Sequence, residues 1–336
     1  MRIAPSVAPG GKPGRAGPAS MQIRAAVRAV LAEAEVSGPV GVAVSGGADS
    51  LALAAAAAAI AGETHAVVVD HGLQPGSAEI AEAAAEVARK LGVTTARVVP
   101  VEVDGPGGLE AAARRARASA LRQALPHMPV LLGHTLDDQA ETVLLGLGRG
   151  SGPRSIAGMR PIDPPWLRPL LDLPRSVTAR SCAELGVEPW QDPHNADPAF
   201  TRVRLRTEVI PLLDDVLQGG VAGALARTAR QVREDLEALD ALAGDLLTAA
   251  RLPGGELAVG PLEGAHAAIR RRALRRWLLD RGARDLSEGH LRAVDDLVSR
   301  WRGQGGVWLP GDLVAARAHG RLTLAGRRER VNEECG

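Results

Sequence analysis

Aromatic side chains are scarce in this sequence, which contains no tyrosine, one phenylalanine and five tryptophans. Apolar residues still make up 46% of the chain, so alanine, valine and leucine must fill the interior. Because few rings are left to stack on nucleotide bases, we expect any nucleic acid to be recognised through its shape and phosphates more than through stacking.

Cysteine and long apolar runs are lacking as well. Cys182 and Cys335 are too few and too far apart for a metal quartet or a disulfide framework, which favours a reducing, cytoplasmic setting. No stretch reaches the roughly 18 uninterrupted apolar residues of a membrane span. The longest candidate, the alanine-rich run after Ser50, lies inside a helical pattern, so we expect a soluble protein that does not enter a membrane.

An excess of charge of either sign is also absent, since 40 lysine and arginine residues stand against 39 acidic ones. Contact with a polyanion would therefore depend on local basic patches and not on net charge. One candidate patch is the arginine cluster at 270–276, for which a solvated helix face is an equally good interpretation.

What the chain does contain is a regular alternation of short β-branched runs and helical patterns. The strand candidates are 40–44, 65–70, 96–101 and 129–135, and the helix candidates are 49–61, 77–91, 108–125 and a segment beginning at 137. This rhythm predicts an α/β fold with right-handed crossovers and a parallel, doubly wound sheet, for which we expect five strands. In such sheets ligands bind at the carboxyl ends of the strands.

Composition divides the chain into five successive segments. We expect a disordered tail (1–20), the α/β catalytic domain (21–217), a helical connector (218–252), a small α+β domain (253–328) and a frayed tail (329–336). Within the catalytic domain, the glycine- and proline-rich segment 146–165 predicts an irregular loop that closes over a site.

The segment SGGADS joins the first strand of the sheet to the helix after it. Gly46 and Gly47 permit positive φ and a close backbone approach, so that backbone N–H groups and the helix N-terminus converge on a point that binds anions. The hydroxyls of Ser45 and Ser50 flank this point, and Asp49 is suited to hold Mg²⁺ against phosphates. The lysine of a Walker loop is absent, which favours pyrophosphate release over γ-phosphate transfer.

This loop resembles that of the PP-loop, or N-type, ATP pyrophosphatases, which activate a carbonyl by adenylation and then admit a nucleophile. The resemblance implies the adenine nucleotide alpha hydrolase-like form of the doubly wound fold, with ATP and Mg²⁺ at the site. It assigns ATP to the loop and to the end of the second strand: Ser45, Gly46, Gly47, Ala48, Asp49, Ser50, Asp70 and His71.

Two further strings are similar to segments of one family in that superfamily, the tRNA(Ile)-lysidine synthetases. The first is VDHGLQPGSAEIAE, with Asp70 and His71 at its strand end and Gln74 where the family frequently has arginine. The second is GLEAAARRARASAL, whose Arg114 and Arg117 lie three apart on one helical face and can present two guanidinium groups to one phosphate. Both arginines are candidate catalytic residues, with a solvated charged face as the alternative.

The string HTLDDQAET places three acids around a helix start and resembles the family's most specific motif. Acids gain about 0.3–1 kcal/mol each from the helix macrodipole, which accounts for one of them but not for the cluster, and none is expected in the core. The resemblance places Asp137 near the reacting base, as a catalytic residue and, with Asp49, a Mg²⁺ ligand. It gives Asp138 and Glu141 the task of orienting the base or binding the lysine ammonium. His134 is either a polar wall of the site or a simple strand-end residue.

A last string, WQDPHNADPAFTRVRLRTEVIPLL, resembles the family's segment that ends the catalytic domain. The matching positions are Asp192, Asn195, Asp197, Phe200, Arg202, Arg206 and Pro211. His194 stands where serine or threonine is usual. Contact with tRNA is expected at Asp192 and Asn195 and at an arginine patch that follows the RNA backbone, formed by Arg202, Arg204 and Arg206.

The resemblance implies a ligase that forms a carbon–nitrogen bond on tRNA. ATP would adenylate the C2 carbonyl of the wobble cytidine in isoleucine tRNA with a CAU anticodon, and the ε-amine of free lysine would displace AMP. Monomer and homodimer both stay open. The alternatives are a tRNA thiolase, for which paired or cluster-binding cysteines are missing, a catalytically silent tRNA-binding protein, and an amidotransferase-linked synthetase, for which the chain has no room.

Overall fold

The structure is a computed structural model that describes residues 4–7, 16–105, 108–150 and 152–326. The chain divides into two compact units, Met1–Arg230 and Gln231–Gly336. The division falls within one long helix, Val221–Ala250, which occupies most of the segment predicted as a helical connector.

The first unit alternates short strands with helices. Its strands are β1 Ser6–Val7, β2 Val40–Val44, β3 Thr64–Asp70, β4 Thr95–Pro100, β5 Val130–Leu131, β6 Ile162–Asp163, β7 Trp166–Leu167 and β8 Val187–Glu188. Its helices are α1 Pro18–Glu33, α2 Ala48–Ala61, α3 Ser77–Lys90, α4 Gly108–Ala124, α5 Leu136–Arg149, α6 Pro153–Ile156, α7 Arg175–Glu184, α8 Thr201–Arg204 and α9 Ile210–Val216, and α10 Val221–Ala250 begins in this unit. A 3₁₀ turn covers Pro193–Ala196, and a π-helical turn, Leu205–Val209, links α8 to α9.

Six strands form the central sheet, in the order β4-β3-β2-β5-β7-β6. Five of them run parallel, which confirms the predicted sheet. The sequence did not indicate β6, which pairs antiparallel with β7 because only Pro164 and Pro165 separate the two strands. The predicted strand at 129–135 is also shorter than expected. Beyond it Gly133 passes so close to α2 that a Cβ there would lie 3.2 Å from the backbone of Asp49.

Both faces of the sheet are covered, as a doubly wound fold requires. Val40, Val42 and Val44 of β2 pack into a core with α1, α2, α3 and α7. Ala43, which points the other way, packs with Leu121 of α4 and the ends of the neighbouring strands. This alternation follows from the two-residue period of a strand.

The N-terminal segment departs from the predicted disordered tail in the part that the structure describes. β1 pairs antiparallel with β8, and α1 starts at Pro18, inside the segment predicted as a tail. The carboxylate of Glu184 accepts the N–H groups of Ala19 and Ser20 at 2.9 Å each, which satisfies two free donors at this helix start. The rest of the predicted tails lies outside the described residues, at 1–3, 8–15 and 329–336. The predicted irregular loop at 146–165 contains the end of α5 as well as α6 and β6.

The second unit is a small antiparallel sheet packed with helices. After the end of α10 its elements are β9 Leu257–Ala258, α11 Val259–Glu263, α12 Ala267–Asp280, α13 Glu288–Ser299, β10 Val307–Leu309, β11 Leu313–Ala318 and β12 Arg321–Gly326. The sheet order is β10-β11-β12-β9. Trp277 fills the core and donates its indole N–H to the Gly255 carbonyl at 2.8 Å.

Three arginines of the cluster 270–276 form ion pairs within this unit. Arg270 is buried against Asp295, with 2.6 Å between Nε and Oδ1, and Arg271 reaches the same carboxylate at 3.3 Å. Arg272 pairs with Asp240 at 2.7 Å. At least these three side chains therefore serve the fold of the unit.

Among the described residues, no single helix is long and apolar enough to cross a membrane. Thr201–Val216 and Val221–Ala250 reach the length and apolar content of a membrane span only when they are counted together, and the chain bends sharply between them.

Candidate active site

The loop 45–50 runs from the carboxyl end of β2 into the first turn of α2. Gly46 has a φ of +81°, and a Cβ at this position would lie 3.3 Å from the Ala84 side chain, so the turn favours glycine. Ser50 closes the loop, since its hydroxyl donates to the Gly47 carbonyl at 3.0 Å and accepts the Ser45 N–H at 3.1 Å. The first N–H groups of α2 have no partner within the helix, so this loop presents donors to an anion.

A cavity of about 280 Å³ adjoins this loop. We call it the loop-side cavity; its polar lining consists of Ser45, Asp70, His71, Gln74, Ser77, Arg117, Asp192 and His194, together with Trp190. The carboxyl ends of β2 and β3 form its floor, as expected for a ligand site in a parallel sheet.

A second cavity, of about 560 Å³, lies beside the start of α5. We call it the acid-side cavity; its lining includes His71, Glu110, Arg114, Arg117, His134, Asp138, Glu141, Met159, Trp166, Arg168, Arg202 and Arg206. Arg117 and His71 line both cavities, so the two spaces adjoin. Arg114 and Arg117, predicted to act together, both face the acid-side cavity.

Two histidines mark these cavities as binding surfaces. Burial, reinforced by the charge of Arg117, lowers the pKa of His71, and the same causes lower the pKa of His134 to about 4. Both rings are therefore neutral at pH 7. The Nδ1 atom of each is buried without a hydrogen-bond partner, a condition that costs free energy unless a ligand supplies one. This favours the polar-wall interpretation of His134.

Gln74 and His194, two of the positions that depart from the family pattern, contact each other. The Gln74 amide nitrogen lies 2.5 Å from Nδ1 of His194 and donates to Asp192 at 3.0 Å. The Asp192 carboxylate also accepts the backbone N–H of His194 at 2.9 Å. These three side chains form one cluster on the wall of the loop-side cavity, which gives the two replacements a shared structural reason.

The three acids around the start of α5 have different surroundings. Asp138 caps the helix, because its Oδ2 accepts the N–H and the hydroxyl of Thr135 at 2.8 and 2.9 Å. Glu141 is fully buried and accepts from Arg206 at 2.8 Å and from Arg202 at 3.4 Å. The expectation that none of these acids lies in the core is therefore wrong for Glu141, whose charge two arginines compensate.

Arg175, the first residue of α7, links these acids to the loop. Its Nε lies 3.2 Å from Oδ2 of Asp49 and its Nη2 lies 2.7 Å from Oδ1 of Asp138. Its backbone N–H donates to Asp137 at 2.8 Å, and Thr178 donates its hydroxyl to the other oxygen of Asp49. Burial raises the pKa of Asp49 and the charge of Asp138 adds to the rise, while Thr178 and Arg175 oppose it.

Mg²⁺ is predicted at Asp49 and Asp137, where it would lie against the phosphates of ATP. Without nucleotide, the arrangement of these acids does not fit a resident metal ion. Both oxygens of Asp49 already accept hydrogen bonds, from Arg175 and Thr178. In the part of the chain that the structure describes, no three histidine, cysteine, aspartate or glutamate side chains are grouped to hold a metal. The positive charge next to Asp49 is the Arg175 guanidinium.

The residues predicted to contact tRNA are divided among the two adjoining cavities and an exposed helix face. Asp192 lines the loop-side cavity, whereas Arg202 and Arg206 line the acid-side cavity and pair with Glu141. Arg204 instead lies exposed on the helix and pairs with Glu208 at 2.9 Å. Residues four apart share a helix face and residues two apart do not, which separates Arg204 from the other two. Asn195 is exposed in the 3₁₀ turn.

The motifs did not reveal three residues of the site: Arg175, Thr178 and Gln139. Gln139 is buried in α5, and its amide both donates to the Met159 carbonyl at 3.0 Å and accepts the Met159 N–H at 2.7 Å. Gly158 makes this approach possible, because a Cβ there would lie 2.6 Å from the Gln139 amide oxygen. The clasp holds Met159 in the wall of the acid-side cavity. The sequence feature that could have identified Gln139 is a polar residue next to Ala140 on the buried side of α5.

The fold and the loop define the class of protein. A family model described as a PP-loop domain matches residues 20–213, more than half of the chain. The chain is therefore a PP-loop protein, a class that uses ATP. A second model, described as a TilS substrate binding domain, matches 257–323. The U34-tRNA thiolase NcsA from Methanococcus maripaludis, solved with its 4Fe-4S cluster, has a TM-score of 0.53 at 16% identity and covers 70% of this chain and 89% of that one. That likeness concerns the fold alone.

Curated relatives narrow the class to one family. The tRNA(Ile)-lysidine synthase of Nocardia farcinica is 60% identical over 309 residues, which are 90% of this chain and 97% of that protein. The enzyme of the same name from Rhodococcus jostii is 58% identical, with 94% and 95% covered, and that of Mycobacterium tuberculosis is 57% identical, with 86% and 88% covered. This chain belongs to the tRNA(Ile)-lysidine synthase family, which confirms the resemblance of its motifs.

Proposed function

We propose that this protein joins free lysine to the wobble cytidine of isoleucine tRNA with a CAU anticodon, at the expense of ATP. The observation that carries the proposal is the pair of adjoining cavities that share Arg117, one at the loop 45–50 and one beside the acids of α5. A two-step reaction needs a place for ATP next to a place for the base and its nucleophile. The names of the curated relatives support the choice of substrate. A tRNA substrate places the reaction in the cytoplasm.

In the first step the C2 carbonyl oxygen of the cytidine attacks the α-phosphorus of ATP, and pyrophosphate leaves. ATP binds in the loop-side cavity with its phosphates on the N–H groups of the loop and of the start of α2. Arg117, with Arg114 beside it in the acid-side cavity, faces the charge that develops on the α-phosphate. The neutral His71 offers its unpaired Nδ1 to the nucleotide.

In the second step the ε-amine of lysine attacks C2, and AMP leaves with the oxygen. Asp138 lines the acid-side cavity and receives the lysine ammonium before it loses its proton. Glu141 supports the wall of that cavity through its two arginines. The pKa of His134, at about 4, makes it a hydrogen-bond partner for the base or the amine and a poor proton acceptor at pH 7.

Sulfur transfer, the reaction named for the thiolase of similar fold, is disfavoured by the one cysteine among the described residues. Burial raises the pKa of the Cys182 thiol to about 12, and the thiol donates to the Ala48 carbonyl at 3.4 Å. Such a thiol does not form the thiolate that sulfur chemistry needs at neutral pH.

The test is lysine transfer to defined transcripts. The protein is incubated with ATP, Mg²⁺, radiolabelled lysine and an isoleucine tRNA transcript bearing CAU, and in parallel with a methionine tRNA transcript bearing the same anticodon. We expect acid-precipitable label in the isoleucine tRNA and little in the methionine tRNA. Absence of label from both would overturn the proposal, and equal labelling would remove its tRNA specificity.

A further inference from the structure

The guanidinium of Arg175 lies among acids contributed by two different helix starts. Asp49 lies within the loop 45–50, in the first turn of α2, and Asp138 belongs to the first turn of α5. Arg175 contacts both carboxylates through separate nitrogens, at 3.2 and 2.7 Å. None of the steps in the proposed function uses this contact.

The surroundings of these two acids require a cation. The side chains of Asp49 and Asp138 are only 24% and 15% exposed, and each disfavours the charge of the other because they lie close together. Two partly buried like charges are stable only when an opposite charge compensates them. The planar fork of an arginine can contact two carboxylates at once, whereas a single ammonium is a point charge.

The position of Arg175 is itself fixed by the fold. Its backbone N–H donates to Asp137, and Thr178, one turn further along α7, holds the remaining oxygen of Asp49. Four contacts from the first turn of α7 therefore reach the acids of α2 and α5. A cation that approached Asp49 would meet a carboxylate whose two oxygens each already accept a hydrogen bond, and the Arg175 guanidinium would repel it.

We propose that Arg175 is a positioning residue that serves as the resident cation of this site: it occupies the place between Asp49 and Asp138 that a divalent metal ion would otherwise take, and it holds the loop 45–50 against the start of α5. The protein without nucleotide then binds no divalent metal ion at these acids. This inference goes beyond the proposed function, and its test needs neither tRNA nor lysine.

The test is Mn²⁺ binding to the full chain without nucleotide, followed by electron paramagnetic resonance of free Mn²⁺. We expect no Mn²⁺ site that depends on Asp49 in the unaltered protein. An arginine beside an aspartate shifts the carboxylate's affinity for a proton by about 1–3 powers of ten, so Arg175→Met should raise the affinity for Mn²⁺ by about tenfold or more. Arg175→Lys, which keeps a positive charge, should largely prevent the gain.

Two controls make the result specific. Asp49→Asn added to Arg175→Met should abolish the new site, and Arg230→Met, which removes an arginine paired with exposed Asp172 elsewhere in the same unit, should create none. The inference is overturned if Arg175→Met gains no Mn²⁺ site while it remains folded by circular dichroism. It is equally overturned if the unaltered protein binds Mn²⁺ and Asp49→Asn removes that binding, a measurement that holds even if Arg175→Met does not fold. Either result leaves lysine transfer untouched.

Discussion

Replacing Arg206 by methionine should destabilise the first unit more than neutralising its partner Glu141. Glu141 is fully buried, while the side chains of Arg206 and Arg202 are 30% and 24% exposed. In Arg206→Met the buried Glu141 carboxylate keeps only Arg202, at 3.4 Å. When Glu141 is neutralised instead, the guanidinium groups of Arg202 and Arg206 can reach water. Leaving a charge unpaired therefore costs more free energy at Glu141 than at either arginine.

The magnitudes follow from this asymmetry. Removing one partner of a buried ion pair costs about 3–5 kcal/mol. Because Arg202 still contacts Glu141, we expect Arg206→Met to lower the free energy of unfolding by about 3 kcal/mol, the low end of that range. Glu141→Gln keeps the volume and an acceptor, so it exchanges charge-assisted hydrogen bonds for neutral ones at about 1 kcal/mol.

Urea denaturation followed by far-ultraviolet circular dichroism measures both variants. Arg204→Met is the matched control. Arg204 ends α8, two residues before Arg206, and is exposed and paired with Glu208, so its loss should leave the transition where it is. If Glu141→Gln shifts the transition as far as Arg206→Met or farther, the argument that the buried carboxylate is the costly partner is refuted.

Three further predictions concern single side chains of the site. His134 takes up a proton near its ordinary pKa of 6.5 in the unfolded chain and only near 4 in the folded protein, so the protein should lose about 3 kcal/mol of stability as the pH falls from 6.5 to 4. Denaturation measured across this pH range should show no such loss for His134→Gln. The control His127→Asn, which changes an exposed histidine, should keep the loss. In a Cys335→Ser background, Cys182 should stay unreactive toward a thiol reagent at pH 8 until the protein unfolds, and rapid reaction of the native protein would contradict its burial. A glutamate at position 139 cannot donate a hydrogen bond to the Met159 carbonyl, so Gln139→Glu should speed proteolysis near residue 158 and raise KM for tRNA. Unchanged cleavage would mean that the Gln139 amide does not hold the segment around Met159 in place.

The sequence predicted the parts of this molecule that local pattern determines. The β-branched runs matched β2, β3 and β4, and the helix between Gly47 and Gly62 is bounded by the residues that its pattern indicated. β6 escaped prediction because a two-residue strand has too few positions to show a period, and its partner is set by the proline pair that follows it.

The candidate site was predictable in its residue types and less so in their partners. The loop, His134 and the acids of α5 were identified from their strings, because each string places its residues at a strand end or a helix start. The strings do not show that Glu141 is buried beneath two arginines, or that Arg175 reaches Asp49 from a helix more than a hundred residues away. Such pairings depend on how α5, α7 and α8 come together, and they involve long polar side chains whose spacing resembles that of a solvated surface.

The central claim, that the site adenylates a tRNA base before lysine attacks, is tested most directly by following the α-phosphate of ATP. The protein is mixed with isoleucine tRNA bearing CAU, Mg²⁺ and ATP labelled either at the α- or at the γ-phosphorus, in the absence of lysine, and the tRNA is then isolated. We expect label on the tRNA from the α-phosphorus alone, with pyrophosphate released and the label discharged as AMP when lysine is added. Transfer of the γ-label, or release of ADP in place of pyrophosphate, would contradict the account.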